Sequence, residues 1–281
     1  MQSSIYEKTI EALAEGGIES PRLEARLLIA DALGVDVNQM PITPMGDDNV
    51  QETLERHIEK RLEGMPIDKI LGHREFYKND FFVSRDVLSP RPDTEILVEE
   101  ALKIIEANGS KRVLDLGVGS GCILLSLLAE VKDLEGVGVD ASSKALAVAQ
   151  KNAKKLKLTK RVKLLEKNWF DNGFVGVFEK PFDIIVSNPP YIKTADIEKL
   201  DIGVKKYDPI LALDGGEDGL DSYRKIAEFA PFLLFDDGYL LLEVGRRQSR
   251  AVKEIFTDKG LVHLGTVKDL AGIERVLIFK K

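Results

Sequence analysis

The chain has 281 residues, 44% of them hydrophobic, and a formal charge of -7. That length leads us to expect two folded units with a real core, and the acidic balance argues against an extended nucleic-acid surface. The single cysteine, Cys122, excludes an internal disulfide, and neither a signal-like opening nor a run of transmembrane length is visible, so a cytoplasmic protein with no membrane partner and no metal site is expected.

Residues 1–70 read as a small helical domain. Ile5, Ile10, Leu13 and Ile18 mark one amphipathic helix that ends near Gly16-Gly17. Ser20 before Pro21 caps a second, with Glu24 in its first turn, Leu23, Leu27, Leu28 and Leu33 as its buried face, and Gly34 as its stop. Pro41 to Asp47 is a turn-rich link, and Val50, Leu54, Ile58 and Leu62 stripe a third helix. The domain carries no chemical motif, and we expect it to dock a substrate or partner. Residues 71–90 break the helical period: two β-rich pieces flank Lys78-Asn79-Asp80, which predicts a hairpin linker. Pro90 and Pro92 then stiffen the chain around Arg91, ahead of a helix from about Thr94 to Ala107. Arg91 is either a substrate contact or one end of a surface salt bridge.

From there to residue 281 strands and helices alternate. Strands are predicted at 113–116, 136–140, 162–165, 182–187 and 239–244, with helices opening at Cys122, after Ser142, near Leu220 and at Ala251. The last two strands, 261–266 and 275–279, are joined by too short a link for a parallel crossover. The expected fold class is α/β, a Rossmann-like doubly wound sheet with an antiparallel last strand.

Two stretches in this region carry chemistry. Asn188-Pro189-Pro190-Tyr191 follows the apolar strand Phe182–Ser187. The prolines end the strand abruptly and hold Asn188 extended at the carboxyl edge of the sheet, where open α/β folds place ligands. The Asn188 side chain, the Pro189 carbonyl and the Tyr191 ring form a set that suits a planar C–NH2 group. The second stretch is Asp115-Leu116-Gly117-Val118-Gly119-Ser120-Gly121, between a strand and a helix. Glycines let a ligand approach the backbone, and Asp140, at the end of the next strand, can hold ribose hydroxyls. The Gly-x-Gly-x-Gly spacing departs from the dinucleotide fingerprint Gly-x-Gly-x-x-Gly. Asp115 beside it would repel phosphate but attract an ammonium, which points to S-adenosyl-L-methionine. Trp169 is placed to flank the adenine, while Phe170 reads equally well as core.

These residues resemble known families. Asp115–Gly121 with Asp140 is similar to class I S-adenosylmethionine-dependent methyltransferases, and Asn-Pro-Pro-Tyr to those that methylate planar nitrogens. The whole chain resembles the HemK/PrmC-like family of release factor glutamine methyltransferases. The likeness runs through Ser20–Ala25, Gly72–Phe76, Pro90–Thr94, Tyr207–Pro209 and Gly215–Leu220. The resemblance implies that the side-chain amide nitrogen of the Gly-Gly-Gln glutamine in class I peptide chain release factors is the methyl acceptor, with S-adenosyl-L-homocysteine as product. It implies cofactor contacts at Gly117, Val118, Gly119, Ser120, Gly121, Asp140, Trp169 and Asn188, and substrate contacts at Asn188, Pro189, Pro190 and Tyr191. Asn168, Asp208 and Lys69 depart from the family pattern. Asn188, Pro189 and Tyr191 are the expected catalytic residues, in a monomer with no direct nucleic-acid partner. The alternatives are an amino-methyltransferase acting on adenine or cytosine, for which no recognition domain fits the remaining length, a dehydrogenase, disfavoured by the glycine spacing, and a non-catalytic module with a vestigial site. No general base is visible, and His57, His73 and His263 fall outside the motifs.

Overall fold

The computed structural model describes residues 2–39 and 48–281; the expected link from Pro41 to Asp47 lies outside them. The chain forms two compact units, Met1–His73 with Asp201–Tyr207, and Arg74–Leu200 with Asp208–Lys281.

In the first unit, α1 (Gln2–Glu15), α2 (Pro21–Leu33), α3 (Asp48–Leu62) and the short α4 (Ile67–Leu71) surround Leu13, Leu28 and Leu54. Pro21 opens α2 and Gly34 closes it at φ 67°, as expected. The buried face of α2 is Ala25, Leu28 and Ile29, whereas Leu23, expected inside, is 57% exposed. Glu24 does more than complement the helix dipole: its carboxylate accepts from Arg61 Nε at 2.5 Å, tying α2 to α3. Residues 201–207 return to this unit, where the Tyr207 hydroxyl donates to the Glu63 carbonyl and Ile202 packs over Gly64.

The hairpin β1 (His73–Phe76) and β2 (Asn79–Phe82) comes next, and all of it but His73 belongs to the second unit. Its turn is Tyr77-Lys78, at φ 40° and 63°, so Asn79 and Asp80 lie in the strand rather than in the turn. Two successive positive φ values match the twist that two-residue hairpins need. There follow α5 (Glu95–Asn108), β3 (Arg112–Leu116), α6 (Cys122–Glu130), β4 (Glu135–Asp140), α7 (Ser143–Lys155), β5 (Val162–Glu166), β6 (Phe182–Ser187), α8 (Asp221–Leu233), β7 (Leu234–Glu243), α9 (Ser249–Thr257), β8 (Val262–Lys268) and β9 (Glu274–Lys280). The sheet order is β5-β4-β3-β6-β7-β9-β8, parallel from β5 to β7, with β9 antiparallel to both neighbours as the short link requires.

Both faces of this sheet are covered. Leu114, Leu116, Ile185 and Leu240 pack with α8 and α9, while Val113, Ile184, Val186 and Leu241 pack with α5, α6 and α7. Alternate residues of one strand thus enter opposite cores, which is why the strands read as continuous apolar runs. The chain reverses its winding between β3 and β6, and a crevice opens beyond the carboxyl ends of that pair.

Candidate active site

At this reversal Leu116 pairs with Ser187, and the Ser187 hydroxyl donates to the Leu116 carbonyl at 2.6 Å. Past Leu116 the chain turns through Gly117, Gly119 and Gly121, at φ +78°, +52° and +83°. Side chains rarely adopt such angles, so the glycine spacing follows from the loop itself. Asp140, ending β4, accepts from the Gly119 N–H through one oxygen and from the Ser142 N–H through the other, both at 2.9 Å. Those donors oppose the upward push that burial gives its carboxyl.

A cavity of about 700 Å³ opens here, with Gly117 to Ser120, Asp140, Trp169, Asn188 and Pro190 on its wall, together with Arg91 and Thr94 from the segment before α5. Trp169 is 9% exposed, and a Cβ on Gly117 would lie 3.3 Å from its ring, a tight contact that glycine avoids where the loop passes the indole. The indole Nε1 is buried with no hydrogen-bond partner. Phe170 is 50% exposed at the rim, which overturns its core reading. Arg91 lines the cavity, and its Nη2 pairs with Oδ2 of the buried Asp208 at 3.0 Å. Asn168 also lines the wall and accepts from the Phe170 N–H.

Four expected residues, Asp115, Gly121, Pro189 and Tyr191, stand back from that wall. Asp115 is fully buried at the end of β3, and neither carboxylate oxygen has a hydrogen-bond partner. Burial pushes its pKa to about 7; the Leu124 amide opposes the shift without completing a hydrogen bond, and nearby Asp140 adds to it. The Tyr191 ring packs against the core beneath β7 rather than facing the cavity, and a Cβ on Gly245 would lie 2.8 Å from its Cδ2. Burial pushes that phenol up to about 12. The donor set can hold a sugar diol at Asp140 and favours a cation near Asp115, while the buried carboxylates disfavour phosphate. No group of His, Cys, Asp and Glu among the described residues could hold a metal ion.

A family model described as "PrmC N-terminal domain" matches residues 4–72, and one described as "Methyltransferase small domain" matches residues 92–203. The release factor glutamine methyltransferase of Agrobacterium fabrum is 42% identical over 96% of this chain and 93% of its own. The chain belongs to the release factor glutamine methyltransferase family. The family's Geobacter sulfurreducens member is likewise 42% identical, over 94% of this chain and 91% of its own. Among solved structures, the hMettl16 catalytic domain in complex with MAT2A 3′UTR hairpin 1 superposes with a TM-score of 0.53 at 15% identity, over 83% of this chain and 80% of that one. That likeness is one of fold alone.

In this methyltransferase several residues outside the expected set complete the site. Thr94 Oγ1 accepts from Asn188 Nδ2 at 3.3 Å, which explains why the Pro-Arg-Pro-Asp-Thr segment accompanies Asn-Pro-Pro-Tyr. Gln248 clamps the Asn188–Tyr191 loop: its Nε2 donates to the Tyr191 and Gly219 carbonyls at 2.9 and 3.1 Å, and its Oε1 accepts from the Gly245 N–H. A Cβ on Gly219 would fall 2.5 Å from the Tyr191 carbonyl and one on Gly215 2.8 Å from Tyr191 Cα, so those glycines in the 215–220 segment are set by packing on this loop. Glu243, 2% exposed at the end of β7, stands behind Asn188. Burial raises its pKa to about 7, against Thr94, Arg275 and Asn188. In the sequence it shows only as a charged residue ending an apolar strand, and it takes the strand register to bring it beside Asn188.

Proposed function

We propose that this chain transfers a methyl group from S-adenosyl-L-methionine to the side-chain amide nitrogen of the Gly-Gly-Gln glutamine in class I peptide chain release factors, in the cytoplasm. The observation that carries this reading is the Asn188 carboxamide, anchored through its nitrogen to Thr94 and placed on one wall of a cavity whose other end is formed by the glycine loop and Asp140.

The residues present fit the methyl donor. The orphaned Asp115 carboxylate under the loop favours its cationic end, Asp140 suits the ribose hydroxyls, and the buried edge of Trp169 flanks the adenine. Gly117 to Gly121 supply a backbone surface free of side-chain bulk. When bound, the donor supplies an activated methyl on a sulfonium. An amide nitrogen is a poor nucleophile because its lone pair is delocalised into the carbonyl. Asn188 Oδ1 and the Pro189 carbonyl accept its two hydrogens, which draws charge onto the nitrogen and fixes its orientation. Held in line, the transfer gains from proximity, up to about 7–11 kcal/mol. After the methyl has moved, the nitrogen gives up one of its two protons to solvent water. Tyr191, packed on the core, holds the loop rather than stacking on the substrate. Arg91, steadied by Asp208, lies at the entrance for the flanking chain of the release factor. The first unit, matched by the PrmC N-terminal model, docks the body of that protein.

The test is transfer of labelled methyl to a release factor and, in parallel, to duplex DNA. Label in the release factor alone supports the proposal; label in the DNA would return the nucleic-acid alternative, which the acidic charge and the relatives' names disfavour.

A further inference from the structure

A carboxamide has two ends of nearly equal size, one a donor and one an acceptor. Asn188 can receive a substrate N–H only with its oxygen toward the cavity, so something must hold the other end. Its Nδ2 donates to Thr94 Oγ1, and Thr94, though it borders the cavity, is only 2% exposed, so its hydroxyl is settled mainly by protein neighbours. Having accepted from Asn188, that hydroxyl must donate its own hydrogen. Glu243 is the acceptor on hand: its carboxyl, raised by burial, is held down in part by Thr94 and Asn188, and its buried Oε2 is without a hydrogen-bond partner among the described residues, open to the Thr94 hydroxyl. The register puts it there, because Ser187 pairs with Leu242, so Asn188 and Glu243 follow at the same sheet edge.

We propose that Glu243 is a positioning residue that, through Thr94, locks the Asn188 carboxamide with its oxygen facing the substrate. This rests on the reading that Asn188 receives the glutamine amide, and it deepens it. An ionised carboxylate only accepts, so the hydroxyl can point one way and the amide follows. A protonated carboxyl can donate back to Thr94, and the lock is lost.

The other charged and titratable groups facing Glu243 are Arg275 on β9, Asp93 before α5, Tyr191, Tyr223 on α8 and Cys122 on α6. Arg275 is shared between Asp93 at 2.7 Å and Asp269 at 2.9 Å, so its charge is largely spent elsewhere. Tyr191 and Cys122 are pushed up to about 12 and Tyr223 well above the ordinary phenol, all by burial, so each stays neutral near pH 7. Asp115 titrates in the same range as Glu243 and has to be separated from it by substitution.

The experiment compares wild type with Glu243→Gln, which keeps the shape and removes the charge. In the free protein the Asn188 side-chain NH2 resonances, assigned by their loss in Asn188→Ala, should titrate with a midpoint near 7 in wild type and in Asp115→Asn, but not in Glu243→Gln. Single-turnover methyl transfer should fall about 10- to 100-fold in Glu243→Gln, with methyl-donor affinity within about threefold and the acid limb of the pH profile gone. Thr94→Val, which cuts the relay without touching Glu243, should reproduce both effects and serves if Glu243→Gln does not fold. Unchanged titration and transfer in the variants would overturn the positioning role. An active Asn188→Ala would instead overturn the reading beneath it, so the two failures are distinguishable.

Discussion

The burial of Asp115 costs stability, while in the function proposed above its carboxylate favours the methyl donor's cationic end. Its carboxyl titrates near 7 in the folded chain because burial disfavours the charge. In the unfolded chain it titrates near its ordinary value of 3.8. Between those values the unfolded state binds fewer protons, so this group's contribution to stability falls as pH rises and is flat below and above that window. Asp115→Asn should therefore gain on the order of 1–3 kcal/mol at pH 8, after discounting the full shift, and nothing at pH 4. Thermal unfolding at the two pH values checks this, and an equal difference at both would contradict it. The same variant should bind the methyl donor more weakly. Asn188 belongs to the same scale: Asn188→Ala should keep donor affinity within about tenfold while turnover drops at least about a hundredfold, as for loss of one oriented hydrogen bond. Calorimetry with single-turnover kinetics separates the two quantities. Asn188 and Asp115 were legible because each lies at the carboxyl end of an apolar strand beside a proline or glycine turn, and Asp140 because it ends the next strand. Glu243 also ends such a strand, but it becomes a site residue only once the β6–β7 register brings it behind Asn188, and no local pattern encodes that register.

The elements were legible where apolar spacing is strong, and most of their ends shifted by a residue or two, although β7 starts at Leu234, five residues before the expected 239. What spacing does not carry is the polar tie between elements. Asn152 reads in the sequence as one more polar position on α7, yet it is fully buried. It donates to the Phe82 carbonyl at 3.0 Å and the Ser120 carbonyl at 2.8 Å and accepts from the Phe82 N–H at 2.7 Å, joining the hairpin to the glycine loop. Asn152→Leu strands three backbone groups and should destabilise the second unit by about 2–4 kcal/mol, with faster amide exchange at Phe82 as the local sign. The hairpin turn was misplaced for a related reason: Tyr77 and Lys78 both take positive φ without glycine or asparagine to announce it. Leu23 was placed inside because α2 is apolar on more than one side, and only packing selects the Ala25–Leu28–Ile29 face.

At the scale of the whole molecule, the return of residues 201–207 to the first unit is a long-range pairing that no short window of sequence contains. The exposure of Leu23, within the Ser20–Ala25 segment that carries the family resemblance, gives the docking role proposed for that unit a handle. Leu23→Asp should raise KM for an intact release factor about tenfold, the scale of losing one interface anchor, while leaving transfer to a short Gly-Gly-Gln peptide unchanged; equal effects on both substrates would count against docking there. All of this presupposes that the methyl acceptor is a glutamine side chain on a protein. Fragment mass spectrometry of a release factor after incubation with the enzyme and labelled S-adenosyl-L-methionine measures that directly. The result expected is one labelled methyl on the Gly-Gly-Gln glutamine, absent with Asn188→Ala; a methyl on any other residue, or none with active donor-bound enzyme, would contradict the account.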